Sequence, residues 1–155
     1  MASETATSSR IESTTAQSWQ AGVAAGAIAA VVMGALMVVQ MRPVLEVAIP
    51  SMYALTGGVA GFTIHVAHGA VLGVVFAALA GYVGLDSTAK SFGVGIAYGV
   101  VLWAILAVLV MPVWLSVVGS PANPPLPNVN VTSLVGHVVY GGVIGLTYPT
   151  LEDAL

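Results

Sequence analysis

Four apolar stretches, each close to twenty residues long, dominate this chain: Trp19 to Met41, Phe62 to Gly84, Phe92 to Met111 and Val131 to Pro149. A helix rises about 1.5 Å per residue and the hydrocarbon layer of a bilayer is about 30 Å thick, so roughly 20 residues make one crossing. Only 6% of residues are charged and 58% are hydrophobic, with a mean hydropathy of +1.00, whereas a soluble domain carries about 25% charged residues to hydrate its surface. The expected fold is an all-α integral membrane four-helix bundle.

The segments between the spans set its organisation. Residues 1–18 hold nine Ser or Thr with Glu4, Arg10 and Glu12 and no apolar periodicity, which predicts a disordered tail. The first hairpin covers 19–84, with spans over 19–41 and 62–84. A short loop, 85–91, leads to the second hairpin over 92–149, with spans over 92–111 and 131–149, and 150–155 forms a C-terminal tail. Pro43, Pro50, Pro112 and Pro121 are expected outside the spans or at their ends, where a missing N–H is tolerated. The apolar but Pro/Gly-broken connector Pro43 to Gly61 lies in the interface or re-enters the membrane, and NPPLPNVN, ending at Asn130, reads as a solvated loop.

Aromatic rings favour the headgroup level. Trp19, Tyr82, Phe92 and Tyr148 are expected at one face, with Trp114, Phe62 and Tyr53 at the other. Arg10 and Lys90 share the side of the termini while Arg42 is opposite, so the positive-inside rule puts the termini in the cytoplasm by a margin of one charge.

Within the spans, HVAHGAVLGVVF (His65 to Phe76) aligns without gaps on HVVYGGVIGLTY (His137 to Tyr148). A unit of two spans returns the chain to its starting side. Two tandem copies are therefore a parallel repeat, related by a pseudo-twofold along the membrane normal. Residues His65 and His137 are then expected at equal depth, facing one another across that axis or turned symmetrically away. Each span also carries glycines four apart: Gly22/Gly26, Gly69/Gly73, Gly95/Gly99 and Gly141/Gly145. Lipid removes the hydrophobic drive for helices to associate, and small residues let backbones approach and gain dispersion energy instead.

The three histidines are the ionisable side chains expected inside the spans, where such groups mark functional sites. Imidazoles there serve one of three purposes. They hydrogen-bond a neighbouring helix and do nothing more. Alternatively, His65 and His137, one from each repeat, ligate the iron of a b-type haem. Gly69 and Gly141 would then give room to the porphyrin, and Arg42 would pair with a propionate. The glycine pairs oppose this, since helices in close contact leave no space for a macrocycle. In the third case His65, His68 and His137 form a metal or proton-relay site, with Glu46 as the nearby carboxylate.

Several classes are excluded or disfavoured. Absence of cysteine removes disulfides, thiolate metal sites and thiol nucleophiles. Three Lys plus Arg cannot form the basic stripe that nucleic-acid binding needs. No GxSxG elbow, HExxH helix, P-loop or Rossmann fingerprint is present, so no enzyme is expected.

The low lysine count, absent cysteine, Ser/Thr-rich acidic tail and Ala/Val/Gly-rich spans, with HVAHGAVLG and GHVVYGGVIG, resemble small multi-pass membrane proteins of halophilic archaea. That resemblance implies a salt-adapted archaeal membrane and carries no activity or site residue. Together the residues predict a non-enzymatic, multi-pass cell-membrane protein acting as a subunit or scaffold, in contact with lipid and with other membrane subunits or copies of itself. The alternative is a small transporter or channel with a histidine-lined pathway on the pseudo-twofold axis.

Overall fold

The computed structural model describes residues 18–155, and all regular structure among them is helical. Four of these helices are long and apolar enough to cross a membrane. They are α1 (Ala2–Gln40, described from Ser18), α2 (Gly58–Val83), α3 (Thr88–Val117) and α4 (Val131–Ala154). The tail expected to be disordered, 1–18, lies outside the described residues except for Ser18.

Local chemistry sets each end. The second span begins four residues earlier than expected because Gly57, at φ +92°, supplies the reversal into α2. Gly84 ends that helix in the left-handed region, and the Lys90 ammonium donates to its carbonyl at 2.8 Å, placing a cation where the helix dipole is negative. Ser87 caps α3, which starts at Thr88 and not at Phe92; its Oγ accepts from the Lys90 N–H. The Asn130 carboxamide accepts from the Ser133 N–H at 2.9 Å and starts α4.

Two prolines were expected at span ends and are instead inside helical segments. Pro149 lies within α4. Pro112 lies within α3, just after a π-helical run, Trp103–Val110. A proline removes the N–H that would bond four residues back, in this case at Val108. The chain before α4 returns to supply it: the Asn128 N–H donates to the Val108 carbonyl at 3.0 Å, and Asn128 Nδ2 to that of Ala107 at 3.4 Å. The first connector repeats the device. Its segment Val44–Ala48 is π-helical and Ile49–Ser51 α-helical. Pro50 frees the Glu46 carbonyl, which takes the Gly57 N–H at 3.0 Å.

Packing runs in the order α2, α1, α4, α3. Helix α1 lies along α2, α4 lies along α3, and α1 and α4 meet as the central pair. Both outer contacts are made through glycine. A Cβ on Gly26 would strike the Gly69 carbonyl oxygen and come within 2.8 Å of Gly73 Cα. In the other half a Cβ on Gly95 would strike the Gly141 carbonyl, with Gly145 Cα at 3.0 Å, and one on Gly99 would strike the His137 carbonyl.

By contrast α2 and α3 barely touch. Their junction is aromatic: Tyr98 Oη donates to the Leu72 carbonyl at 2.7 Å, and Phe76 packs against Tyr98 and, edge-on, against Tyr148. Trp19, Tyr53, Tyr82, Phe92 and Trp114 are exposed as belt residues should be. Tyr148, expected in the belt, is buried in this aromatic cluster.

Candidate functional site

Beyond the aromatic junction, towards the two connectors, α2 and α3 diverge and leave a chamber of about 460 Å³ backed by α1 and α4. The connectors roof it. Ser51 and Ser120 share a hydrogen bond of 2.7 Å, and the Trp114 indole N–H donates to the Met52 carbonyl at 3.2 Å.

All three histidines line this chamber. The ring of His65 lies along α1, with Nε2 3.0 Å from the Ala30 carbonyl. A carbonyl only accepts, so Nε2 carries the hydrogen, and in the neutral ring the lone pair is on Nδ1. His137 is held the other way round: Nδ1 donates to the Ser133 carbonyl, 2.8 Å away and one turn earlier on its own helix. Its lone pair is then on Nε2. Backbone bonds of this kind orient imidazoles that ligate metals. His68 differs, its Nε2 being 2.6 Å from the Tyr53 hydroxyl.

The remaining predicted site residues are placed elsewhere or serve packing. Gly69 borders the chamber, but a Cβ there would strike that of Ala30 and meet Tyr140 Cε2 at 3.3 Å. Gly141 is pressed on Gly95 and Gly99 of α3. Arg42 forms an ion pair of 3.1 Å with Glu46, and the two line a separate hollow with Phe62 and Thr63. Neither charge faces the histidines, and no charged side chain lines the chamber among the described residues. Nor do any three His, Asp or Glu side chains among them converge as a metal-ligand set. The trio His65, His68 and His137 is brought to one chamber without forming a three-imidazole cage, because His68 is turned to Tyr53.

Sequence reasoning passed over the methionines. Met33, Met37, Met41, Met52 and Met111 all line the chamber, and the sixth methionine of the chain is Met1. The signal was available: Met33, Met37 and Met41 are four residues apart and so share one face of a helix.

The family model that describes residues 16–154 is that of a family of unknown function, DUF6789. The chain belongs to the DUF6789 family. No curated protein and no solved structure matches it. The chemistry of this DUF6789 chamber therefore has to be read from its own groups. Its hydrogen-bond donors are largely spent on backbone carbonyls, through His65, His137, Trp114 and Tyr140, whose Oη donates to the Gly69 carbonyl at 2.8 Å. What stays free on His65, His137 and the methionines is a set of lone pairs, two on nitrogen and several on thioether sulfur, beside the Ser133 hydroxyl and the one proton not used between His68 and Tyr53. Such a wall suits an electron-pair acceptor.

Proposed function

We propose that this protein is a non-enzymatic, multi-pass membrane subunit that holds a metal-centred guest in the chamber between its hairpins, through His65 and His137. The carrying observation is that imidazoles from α2 and α4 line one cavity with their N–H groups tied to backbone carbonyls. Each is thus oriented with a lone pair to give.

A b-type haem is one guest of this class, and the two imidazoles match its axial ligation. The surroundings match less well. Gly69 and Gly141 are occupied by helix contacts, and Arg42 is spent on Glu46 away from the chamber. A bare metal ion needs neither clearance nor a propionate partner. The glycines are consumed within the chain, so association with other subunits, or with a second copy, falls to the exposed apolar faces. Arg10 and Lys90 on the terminal side, against Arg42 on the other, favour cytoplasmic termini.

Haem titration by absorption spectroscopy and metal analysis, on the full chain purified in detergent, test the reading. Retention of haem or of a metal ion by the wild type, lost in both His65→Ala and His137→Ala, is the expected result. A wild type that takes up neither overturns it. One observation favours transport as a second reading: the loose α2–α3 seam leaves the chamber open at its side. Metal-ion flux into proteoliposomes, abolished by the same substitutions, distinguishes a pathway from a resting site.

A further inference from the structure

We infer that the guest of the chamber is a soft monovalent metal ion of the Cu(I) class, held jointly by thioether sulfurs of α1 and the imidazoles of His65 and His137. The inference rests on the reading of the chamber as a binding site and adds the ligand set and the ion.

The placement of the methionines carries it. Every methionine except Met1 lines this one cavity. Methionine fills irregular gaps in any core, yet all five described methionines fall at this one cavity and none along the rest of the four spans. The neighbours are also the right ones. The His65 ring is wedged on α1 between the Ala30 carbonyl and Gly34, where an added Cβ would meet His65 Cδ2 at 3.3 Å. Met33 and Met37, buried on that same helix, flank this seat. On α4 a Cβ on Gly136 would meet Met33 Cε at 3.2 Å and Sδ at 3.9 Å. The Met33 thioether thus rests against α4 one residue before His137.

Ligand type and charge select the ion. Thioethers are soft donors that favour Cu(I), imidazole is compatible with it, and hard cations require carboxylate or carbonyl oxygen. No carboxylate lines the chamber among the described residues. A divalent ion would thus bring two uncompensated charges into a site within the membrane, where even one is costly. A single charge spread over polarisable sulfur is the smallest burden. An acceptor-only organic guest such as a quinone would need N–H or O–H donors, and those of His65, His137, Tyr140 and Trp114 are already bonded to backbone, which leaves it the Ser133 hydroxyl and the one proton not used between His68 and Tyr53.

Full-length protein in detergent micelles is titrated with Cu(I), kept reduced by ascorbate under argon, against a chromogenic Cu(I) chelator. Zn(II) and haem are titrated separately. Met33→Leu/Met37→Leu and His65→Ala/His137→Ala are compared with wild type, with elution volume and helical circular dichroism as folding controls. The methionine swap conserves volume, which cores tolerate best; Met37→Leu alone, read in the same titration, is the milder version should the double variant fail to fold. The expected result is one Cu(I) per wild-type chain, with sulfur and nitrogen scatterers in its X-ray absorption spectrum and no comparable Zn(II) uptake. Each double variant should bind Cu(I) on the order of tenfold or more weakly, since even groups that only orient ligands cost about 10–100-fold. Cu(I) affinity unchanged by the methionine substitutions, or Zn(II) bound as tightly as Cu(I), overturns the inference. Histidine-dependent haem binding without Cu(I) uptake overturns it and leaves the binding chamber standing. Failure of the wild type to take up Cu(I), Zn(II) or haem overturns both.

Discussion

Replacing Gly26 by alanine, beside the same change at Gly81, measures how much of this bundle's stability comes from backbone contact. Both glycines are in helices, so both substitutions gain about the same helix propensity, close to 1 kcal/mol, and that gain cancels in the comparison. Their surroundings differ. A Cβ on Gly81 meets nothing within 4 Å, whereas one on Gly26 would strike the Gly69 carbonyl and come to 2.8 Å from Gly73 Cα. Ordinary contact at that carbonyl requires α1 and α2 to part by about 1 Å, and a radial gap of about 0.5–1 Å forfeits a quarter to a half of the dispersion well for every pair along the seam. Overpacking of this kind typically costs about 1–3 kcal/mol. The Gly26→Ala protein should therefore be about 1–3 kcal/mol less stable than Gly81→Ala in reversible unfolding by SDS from mixed micelles, followed by circular dichroism. Gly95→Ala compared with Gly93→Ala, whose Cβ also meets nothing within 4 Å, should give a difference of the same size. Equal stability of Gly26→Ala and Gly81→Ala would refute the idea that glycine contact holds the hairpins.

Tyr140→Phe removes the single side-chain bond from α4 to the Gly69 carbonyl; interhelical bonds in bilayers average about 0.6 kcal/mol, so the same titration should register a loss of about that size and no change in helix content. Asn130→Ala deletes the α4 cap and should cost about 1 kcal/mol, whereas Asn130→Ser, which still caps, should stay near wild type. A cost shared equally by both substitutions would mean that the carboxamide acts through something other than the Ser133 N–H.

The spans were legible because lipid imposes a one-dimensional rule, a run of apolar residues of fixed length, and that rule needs no knowledge of neighbours. Their ends were less so. Pro112 and Pro149 read as terminators by local rules, and the acceptance of Pro112 inside a helix depends on a group distant in sequence: the Asn128 N–H that answers Val108 cannot be inferred from either residue alone. The glycine pairs announced close contact but not which helices would meet. At the site, His65 and His137 stood out as ionisable groups in apolar spans, and the chamber does contain both. Arg42 was assigned by membrane side only, and a partner four residues away, Glu46, claims it. The methionines escaped notice because a thioether on an apolar helix looks like any other core residue until its neighbours are known. Tyr148 was misplaced for a related reason: a tyrosine near a span end suits an interface as well as an edge-on contact with Phe76, and only the fold decides.

The chain just before α4 that bonds the Val108 carbonyl also bears on how the protein enters its membrane. When α3 first emerges during synthesis, the partner for that carbonyl has yet to be made, and an unanswered backbone group in hydrocarbon costs several kcal/mol. The third span is consequently a poor candidate for stable insertion by itself. Translation through Asn128 supplies the missing donor, so α3 and α4 are expected to partition into lipid as one cooperative unit, with the loop between them serving as a clasp.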